Sequence, residues 1–178
     1  MKTWDFASKD GRPIVIRHAG PRDARNLHSG FESVVNEGIW LPTFACYSDI
    51  ADWVNWIERT QINRDILLVA EIDGIYAGHL TLQPEEWMAS RHVAKLGIIV
   101  IKEHRSNGVG RALMLASENA ALDAGYSKII LSTFEDNHLA RSLYDSLDYR
   151  VVGIRERHFK MTKGYINEIL MEKWLNPQ

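Results

Sequence analysis

The residues of this sequence best spaced for chemistry lie in one run, positions 97–115, GIIVIKEHRSNGVGRALML. An apolar stretch gives way there to Arg105-Ser106-Asn107-Gly108-Val109-Gly110, and a helix-forming run follows at once. Such an arrangement binds anions. Glycines let the main chain approach a ligand closely, the first amides of a helix have no partner within it, and the helix dipole places partial positive charge at that end. Arg105 and Arg111 add full charges, so a pyrophosphate suits the loop. Two other phosphate motifs do not fit. A dinucleotide fingerprint needs a glycine where Leu113 stands, and a P-loop needs a lysine where Arg111 stands. For the loop taken alone, a glycine-rich helix start without a ligand is the plain structural alternative.

A second run begins twenty-seven residues after Gly110: Asn137-His138-Leu139-Ala140-Arg141-Ser142-Leu143-Tyr144-Asp145-Ser146-Leu147-Asp148-Tyr149. Together the two runs resemble the acetyl-CoA loop, Arg-x-x-Gly-x-Gly, and the later Asn-x-x-Ala-x-x-Leu-Tyr-x-x-x-Gly-Phe segment of the GNAT superfamily of N-acetyltransferases. Asp148-Tyr149 stands where the family usually has Gly-Phe. Ile16-Arg17-His18-Ala19 with Asp23-Ala24 resembles the family's first strand and helix, so the likeness runs from about Ile14 to Met171.

The resemblance implies an acyltransferase that moves the acetyl group of acetyl-CoA to a primary amine by direct attack in a ternary complex. The pantetheine arm is expected to lie between two splayed strands, residues 92–101 and 128–134, bonded by main-chain groups of Ile99, Val100 and Ile101. The amides of Asn107, Gly108, Val109, Gly110 and Arg111, with the charge of Arg105, are expected to hold the pyrophosphate, and Asn137 to contact the pantetheine. Backbone N–H near Ile99 and Val100 would polarise the acetyl carbonyl. Tyr144 stands where the family often uses a tyrosine to protonate the departing thiolate, a task suited to a phenol with a pKa of about 10. Candidates for the base that deprotonates the amine are His92, Glu135, Glu85 and Glu86. Ser132 occupies the position of the glutamate used by ribosomal-protein N-terminal acetyltransferases. Trp40 and Phe44 fall where the family builds its acceptor pocket, Trp53 and Trp56 are expected to pack over the acceptor cleft, and Glu32 and Glu37 could attract a cationic amine. The tail from Phe159 to Met171 resembles acetyltransferases acting on small amines and amino-acid analogues. A small-molecule acceptor is therefore expected. A peptide acceptor (protein N-terminal or lysine acetylation) and a non-catalytic acetyl-CoA sensor are the alternatives. Cys46 as a covalent nucleophile is a rival mechanism with no partner base in the sequence.

Elements able to position these residues can be read from periodicity. Residues 13–18, 66–72, 75–82, 92–101, 128–134, 149–158 and 165–174 read as strands, with a two-residue hairpin turn at Asp73-Gly74. Pro21 opens one helix, ended by Gly38, and Ser48 looks like the N-cap of a second, with Ile50, Trp53, Val54 and Ile57 as its stripe. A third runs over 108–124, with Val109, Ala112, Leu113, Ala116 and Ala120 buried and Gly125 closing it, and a fourth starts at Asp136 or Asn137. Crossover helices require some parallel pairing, and hairpins require antiparallel pairing. The fold class expected is α/β: one GNAT-like domain over 1–178 (core about 13–175), with a mixed, mostly antiparallel sheet, helices on both faces and the splayed cleft.

With 178 residues, 46% of them hydrophobic, the chain can bury a sizeable core. A net charge of -2 argues against nucleic acid as a partner. Cys46 is the single cysteine, so neither an internal disulfide nor a metal cluster is expected. No apolar run is long enough for a membrane span, and residues 1–10 lack the pattern of a signal peptide, so a cytoplasmic protein is expected. A homodimer stays open as the commonest closed assembly. The first ten residues and Asn176-Pro177-Gln178 read as loose ends.

Overall fold

The sheet starts inside a segment that reads as a loose end in the sequence. β1 (Thr3–Ala7) pairs antiparallel with β2 (Pro13–His18), laying half-buried Trp4 and Phe6 along the sheet's first edge. Its alternation is short, Trp4 and Phe6 pack against the core, and the ladder to β2 holds it. The computed structural model describes residues 2–175, so Asn176-Pro177-Gln178 lie outside the described residues.

After a 3-10 turn at Pro21–Asp23 come α1 (Ala24–Asn36) and α2 (Ile50–Asn63). The N-cap of α2 is Asp49 rather than Ser48. Asp49 Oδ1 accepts from the Asp52 amide at 2.9 Å, and Asp52 returns the bond to the Asp49 amide at 3.0 Å. Ser48 Oγ instead accepts from Trp53 Nε1 at 2.8 Å. β3 (Ile66–Ile72) and β4 (Ile75–Pro84) form the expected hairpin, with Asp73 and Gly74 at φ 53° and 76°. Then follow β5 (Val93–Val100), α3 (Val109–Asp123), β6 (Lys128–Phe134), α4 (His138–Asp145), β7 (Arg150–Met161) and β8 (Gly164–Trp174).

The strand order is β1-β2-β3-β4-β5-β6-β8-β7. Among the described residues only β5 and β6 pair in parallel, and only through Val93, Ala94 and Lys95 against Lys128, Ile129 and Ile130. Beyond those three pairs β5 continues along β4 to Val100, while β6 continues along β8 to Phe134. The two strands part in a V whose inner edges have no strand partner among the described residues. Beside its open end, opposite Val100, Gly78 of β4 admits the close approach of β5, since a Cβ there would lie 2.4 Å from the Ile99 carbonyl oxygen.

α3 and α4 cover one face of the sheet over Leu80, Leu82, Leu96 and Ile129; α1 and α2 cover the other over Leu67 and Val69. The expected stripe of α3, from Val109 to Ala120, is buried. Leu113 is fully buried and alone contributes roughly 1.5–3 kcal/mol, anchoring the start of α3 at the mouth of the V. Asp148, where the family usually has glycine, adopts φ 63°. That left-handed turn is why glycine is usual there, and aspartate is among the few residues that tolerate it.

Candidate active site

The open edge of β5 presents a definite set of groups. In an antiparallel ladder, successive residues turn their N–H and C=O alternately toward and away from the partner strand. The Ile101 amide donates to the Ala77 carbonyl and the Glu85 amide to the Val93 carbonyl, each at 3.1 Å. With Ile99 opposite His79 in the same register, the odd-numbered residues of β5 face β4. The even-numbered Ile98 and Val100 therefore turn their main-chain groups into the V. The Val100 carbonyl already accepts from Arg105 Nε at 2.9 Å, which leaves the two amides and the Ile98 carbonyl. The sequence nominates Ile99, Val100 and Ile101 for main-chain bonding, and the ladder leaves only Val100 of these open to the V. Ile99 turns its main-chain groups to β4, though the residue lines the cavity. Ile101 spends its amide on Ala77 and its carbonyl on the His104 amide at 3.0 Å. Ile98 takes the second place, and strand alternation is the signal that would have found it.

Next to this edge lies the start of α3. Gly108 is its N-cap at φ 95°, with no side-chain cap on the first amides, and Ser106 precedes it at φ 59°. Val109 is fully buried and does not line the cavity. A Cβ on Gly110 would lie 3.1 Å from Leu143 Cδ2, so glycine lets the loop pack against α4. The Asn107 carbonyl accepts from the Lys9 amide at 3.2 Å.

The two loop arginines are partly committed. Arg105 holds both carboxylate oxygens of Glu37, at 2.7 and 2.5 Å, and its guanidinium lies 5.2 Å from the centre of the Trp40 ring. Trp40 Nε1 donates to the same Glu37 at 2.7 Å. The bond from Arg105 holds the Glu37 carboxyl below its ordinary pKa. Glu37 is therefore a counter-ion for Arg105 and not a free attractor of amines. Arg111 donates to Ser146 Oγ at 2.9 Å.

These groups surround a cavity of about 420 Å³, lined by Ile98, Ile99 and Val100 on β5, Arg105, Ser106, Gly108, Gly110 and Arg111 on the loop, and Asn137, Ala140, Leu143 and Tyr144 on α4. Val34, Trp40 and Leu41 close it from the α1 side, and Lys9 stands at its rim. Asn137 caps α4, its Oδ1 accepting from the Ala140 amide at 3.1 Å. Tyr144 is 4% exposed, and burial pushes its hydroxyl up to about 12, so it keeps its proton at any neutral pH.

None of the base candidates stands on the cavity wall. His92 precedes β5 at the end where β5 and β6 are still paired, roughly 25 Å along the strand from Val100. Its carbonyl accepts from the Ser127 amide and its ring stacks on Trp174, centroids 6.2 Å apart. Glu85 and Glu86 lie at that same far end. Glu135 follows β6 as an exposed side chain accepting from Asn167 Nδ2 at 2.9 Å. Phe44 is 65% exposed, and Cys46 sits 3.4 Å from Ser48 Oγ, away from the cavity.

A pair that the sequence reading missed lies on the α1–α2 face. The Tyr76 hydroxyl is 2.6 Å from His79 Nδ1, in the space left by Gly30, where a Cβ would meet that hydroxyl at 2.4 Å. Burial raises Tyr76 and lowers His79 to about 4, so the tyrosine donates to a neutral imidazole. Among the described residues no group of three or more metal-binding side chains occurs, and no helix is long and apolar enough to cross a membrane.

Residues 34–149 match the model of the Acetyltransferase (GNAT) family. The L-amino acid N-acetyltransferase AaaT of Escherichia coli (strain K12) is 30% identical over 165 residues, 90% of this chain and 97% of that protein. Among solved structures, YncA of Salmonella typhimurium, a putative acetyltransferase with its cofactor acetyl-CoA, superposes with a TM-score of 0.86 at 18% identity, covering 93% of this chain and 95% of that one. A phosphinothricin acetyltransferase of Sinorhizobium meliloti in complex with acetyl-CoA gives 0.85 at 17% identity, over 92% and 89% of the two chains.

Proposed function

We propose that this chain, which belongs to the acetyltransferase (GNAT) family and uses acetyl-CoA, transfers the acetyl group to the primary amine of a small, amino-acid-like acceptor by direct attack in a ternary complex. The observation that carries this reading is one cavity bounded by an open strand edge, an uncapped helix start and a buried, protonated tyrosine.

Acetyl-CoA supplies an electrophilic acyl carbon and a thiolate able to leave. The residues present fit it. Ile98 and Val100 offer a strand edge that the amides of a pantetheine arm can extend, and Asn137 lies beside it. The first amides of α3 offer partial positive charge to a pyrophosphate. The cavity volume falls within the range of small-ligand sites.

Each group then has a task. The Val100 amide is held by the β4 ladder and needs no reorganisation to donate to an acyl oxygen gaining negative charge. The amine is brought against the acyl carbon by the cavity walls, which replaces a chance encounter with a fixed one. It gives up a proton to water, because none of the nominated bases lines the cavity. The nitrogen–carbon bond forms as the carbon–sulfur bond breaks, and the Tyr144 hydroxyl gives its proton to the sulfur, to be restored from solvent.

The name of the Escherichia coli relative supports an amino acid as the acceptor class. The test is thiol release with acetyl-CoA across free L-amino acids, polyamines, and peptides bearing a free N-terminus or a lysine, with products identified by mass. Acetylated free amino acids are the expected result. Acetylated peptides with no reaction on free amino acids would move the assignment to a protein acetyltransferase. Binding of acetyl-CoA without turnover on any amine would make the protein a sensor.

A further inference from the structure

We propose that Lys9, on the turn of the β1–β2 hairpin, supplies a free positive charge that holds a phosphate of acetyl-CoA. The proposal rests on the donor site described above and adds to it a residue outside the segment matched by the family model, 34–149.

Of the two loop arginines, Arg105 has its charge met by a carboxylate, while Arg111 keeps its charge and bonds only a neutral hydroxyl. Arg105 is bound on both carboxylate oxygens of Glu37 and on the Val100 carbonyl, and Arg111 bonds Ser146. Lys9 lines the same cavity as Ser106, Gly108 and Gly110. The carboxylate nearest in sequence, Asp10, is taken by Arg12 at 2.8 Å and by the Ser8 hydroxyl at 2.5 Å. Lys9 thus has no ion pair among the described residues, and with Arg111, which bonds only a neutral hydroxyl, it leaves its charge for a ligand.

The turn that carries it is well fixed. Ser8 is buried, its hydroxyl and its amide both bonding the Arg12 carbonyl, at 2.8 and 2.9 Å. The Gly11 amide closes back on the Ser8 carbonyl at 3.0 Å with Gly11 at φ 84°. The Lys9 amide is bonded to the Asn107 carbonyl of the loop itself. A Cβ built on Gly108 would find the Ala7 carbonyl at 3.8 Å and Ser8 Cα at 3.9 Å as near neighbours. The hairpin turn and the uncapped start of α3 therefore form one surface, main-chain donors on one side and an ammonium on the other. An ammonium is a compact charge with three donors, suited to a phosphate as a point partner.

The test is calorimetric titration of acetyl-CoA, its 3′-dephospho form and S-acetylpantetheine into the wild-type chain, Lys9→Gln and Lys9→Arg, at two salt concentrations, with a melting temperature for each variant. Lys9 is exposed, so the fold is expected to tolerate both changes. Lys9→Gln is expected to weaken acetyl-CoA about tenfold, as loss of a charge-assisted bond at a partly solvated rim should. It should flatten the salt dependence and leave S-acetylpantetheine unchanged, while Lys9→Arg keeps most of the affinity. If the loss disappears with the dephospho form, Lys9 holds the 3′-phosphate; if it persists, Lys9 holds the pyrophosphate. Wild-type affinity for acetyl-CoA in Lys9→Gln, in a protein that prefers acetyl-CoA to S-acetylpantetheine, overturns the role of Lys9. A wild-type chain that binds the two equally would instead overturn the phosphate site as a whole.

Discussion

Replacing Tyr144 by phenylalanine deletes one oxygen and leaves the ring that packs on Tyr149, centroids 6.1 Å apart, and on the core beneath α4. Burial alone accounts for the elevation of this hydroxyl to about 12, with no hydrogen bond to a neighbour among the causes. Its removal therefore leaves no buried partner unsatisfied, and stability should change by less than about 1 kcal/mol. The catalytic cost is of another order. At pH 8 the hydroxyl is about 10⁻⁴ ionised, so the proton is always present. An unperturbed thiolate, with a conjugate-acid pKa of about 8.5, would take it against roughly 3.5 pH units, or about 5 kcal/mol. That cost falls because the sulfur anion forms in the same water-poor cavity, where burial raises its proton affinity in the same direction. Tyr144 thus acts on a charge that exists only as the bond breaks, and its removal should lower kcat by about 10²- to 10⁴-fold. The affinity for acetyl-CoA should stay within a few-fold. Turnover, cofactor affinity by calorimetry and melting temperature on one preparation decide the matter. Turnover within about threefold of wild type, with bond-breaking shown to limit the rate, would make Tyr144 a packing residue and send the sulfur's proton through water.

Two further outcomes follow from backbone strain and from burial. Gly108→Ala forces alanine into φ 95°, which costs about 1–2 kcal/mol although no atom outside its immediate chain neighbours lies nearer than 3.8 Å. The melting temperature should drop by roughly 2–8 °C, or the loop should turn its amides away and lose affinity for acetyl-CoA by calorimetry; wild-type values of both would refute the need for a left-handed residue there. His79, held at about 4 by burial against an ordinary 6.5, stays neutral in the folded chain while the unfolded chain binds its proton. Its contribution is whole above pH 6.5 and is lost as pH falls toward 4, by up to about 3 kcal/mol. Urea unfolding at pH 7 and 4.5 should show that loss in the wild type and a smaller one in His79→Gln, and equal slopes in the two would deny the imidazole its part.

Much of the site is legible in the sequence because it is local. The loop from Arg105 to Gly110, the buried stripe of α3 and the turn at Asp73-Gly74 are written in neighbouring residues, and each forms where it reads. What escapes depends on partners distant in the chain. Whether Ile98 or Ile99 faces the V is set by the ladder to β4, about twenty residues earlier. Arg105 reads as a free phosphate ligand until Glu37, 68 residues away, is placed against it. β1 alternates over only five residues, too few to declare itself, and Lys9 acquires a role only because that hairpin folds onto the loop. His92 is a different case. The anion loop follows the C-terminal end of β5, so a residue before its N-terminal end lies a full strand away, and that distance could have been counted in the sequence.

The most direct test of where the donor sits is amide hydrogen exchange resolved by residue along β5, with and without saturating acetyl-CoA. Ile98 and Val100 have amides turned into the V, whereas Ile101 already donates to Ala77 and Ile99 faces β4. Acetyl-CoA is expected to slow exchange at Ile98 and Val100 by about tenfold or more, with much smaller changes at Ile99 and Ile101. Unchanged exchange at Ile98 and Val100 in a chain shown to be saturated would contradict a donor held on the open edge of β5.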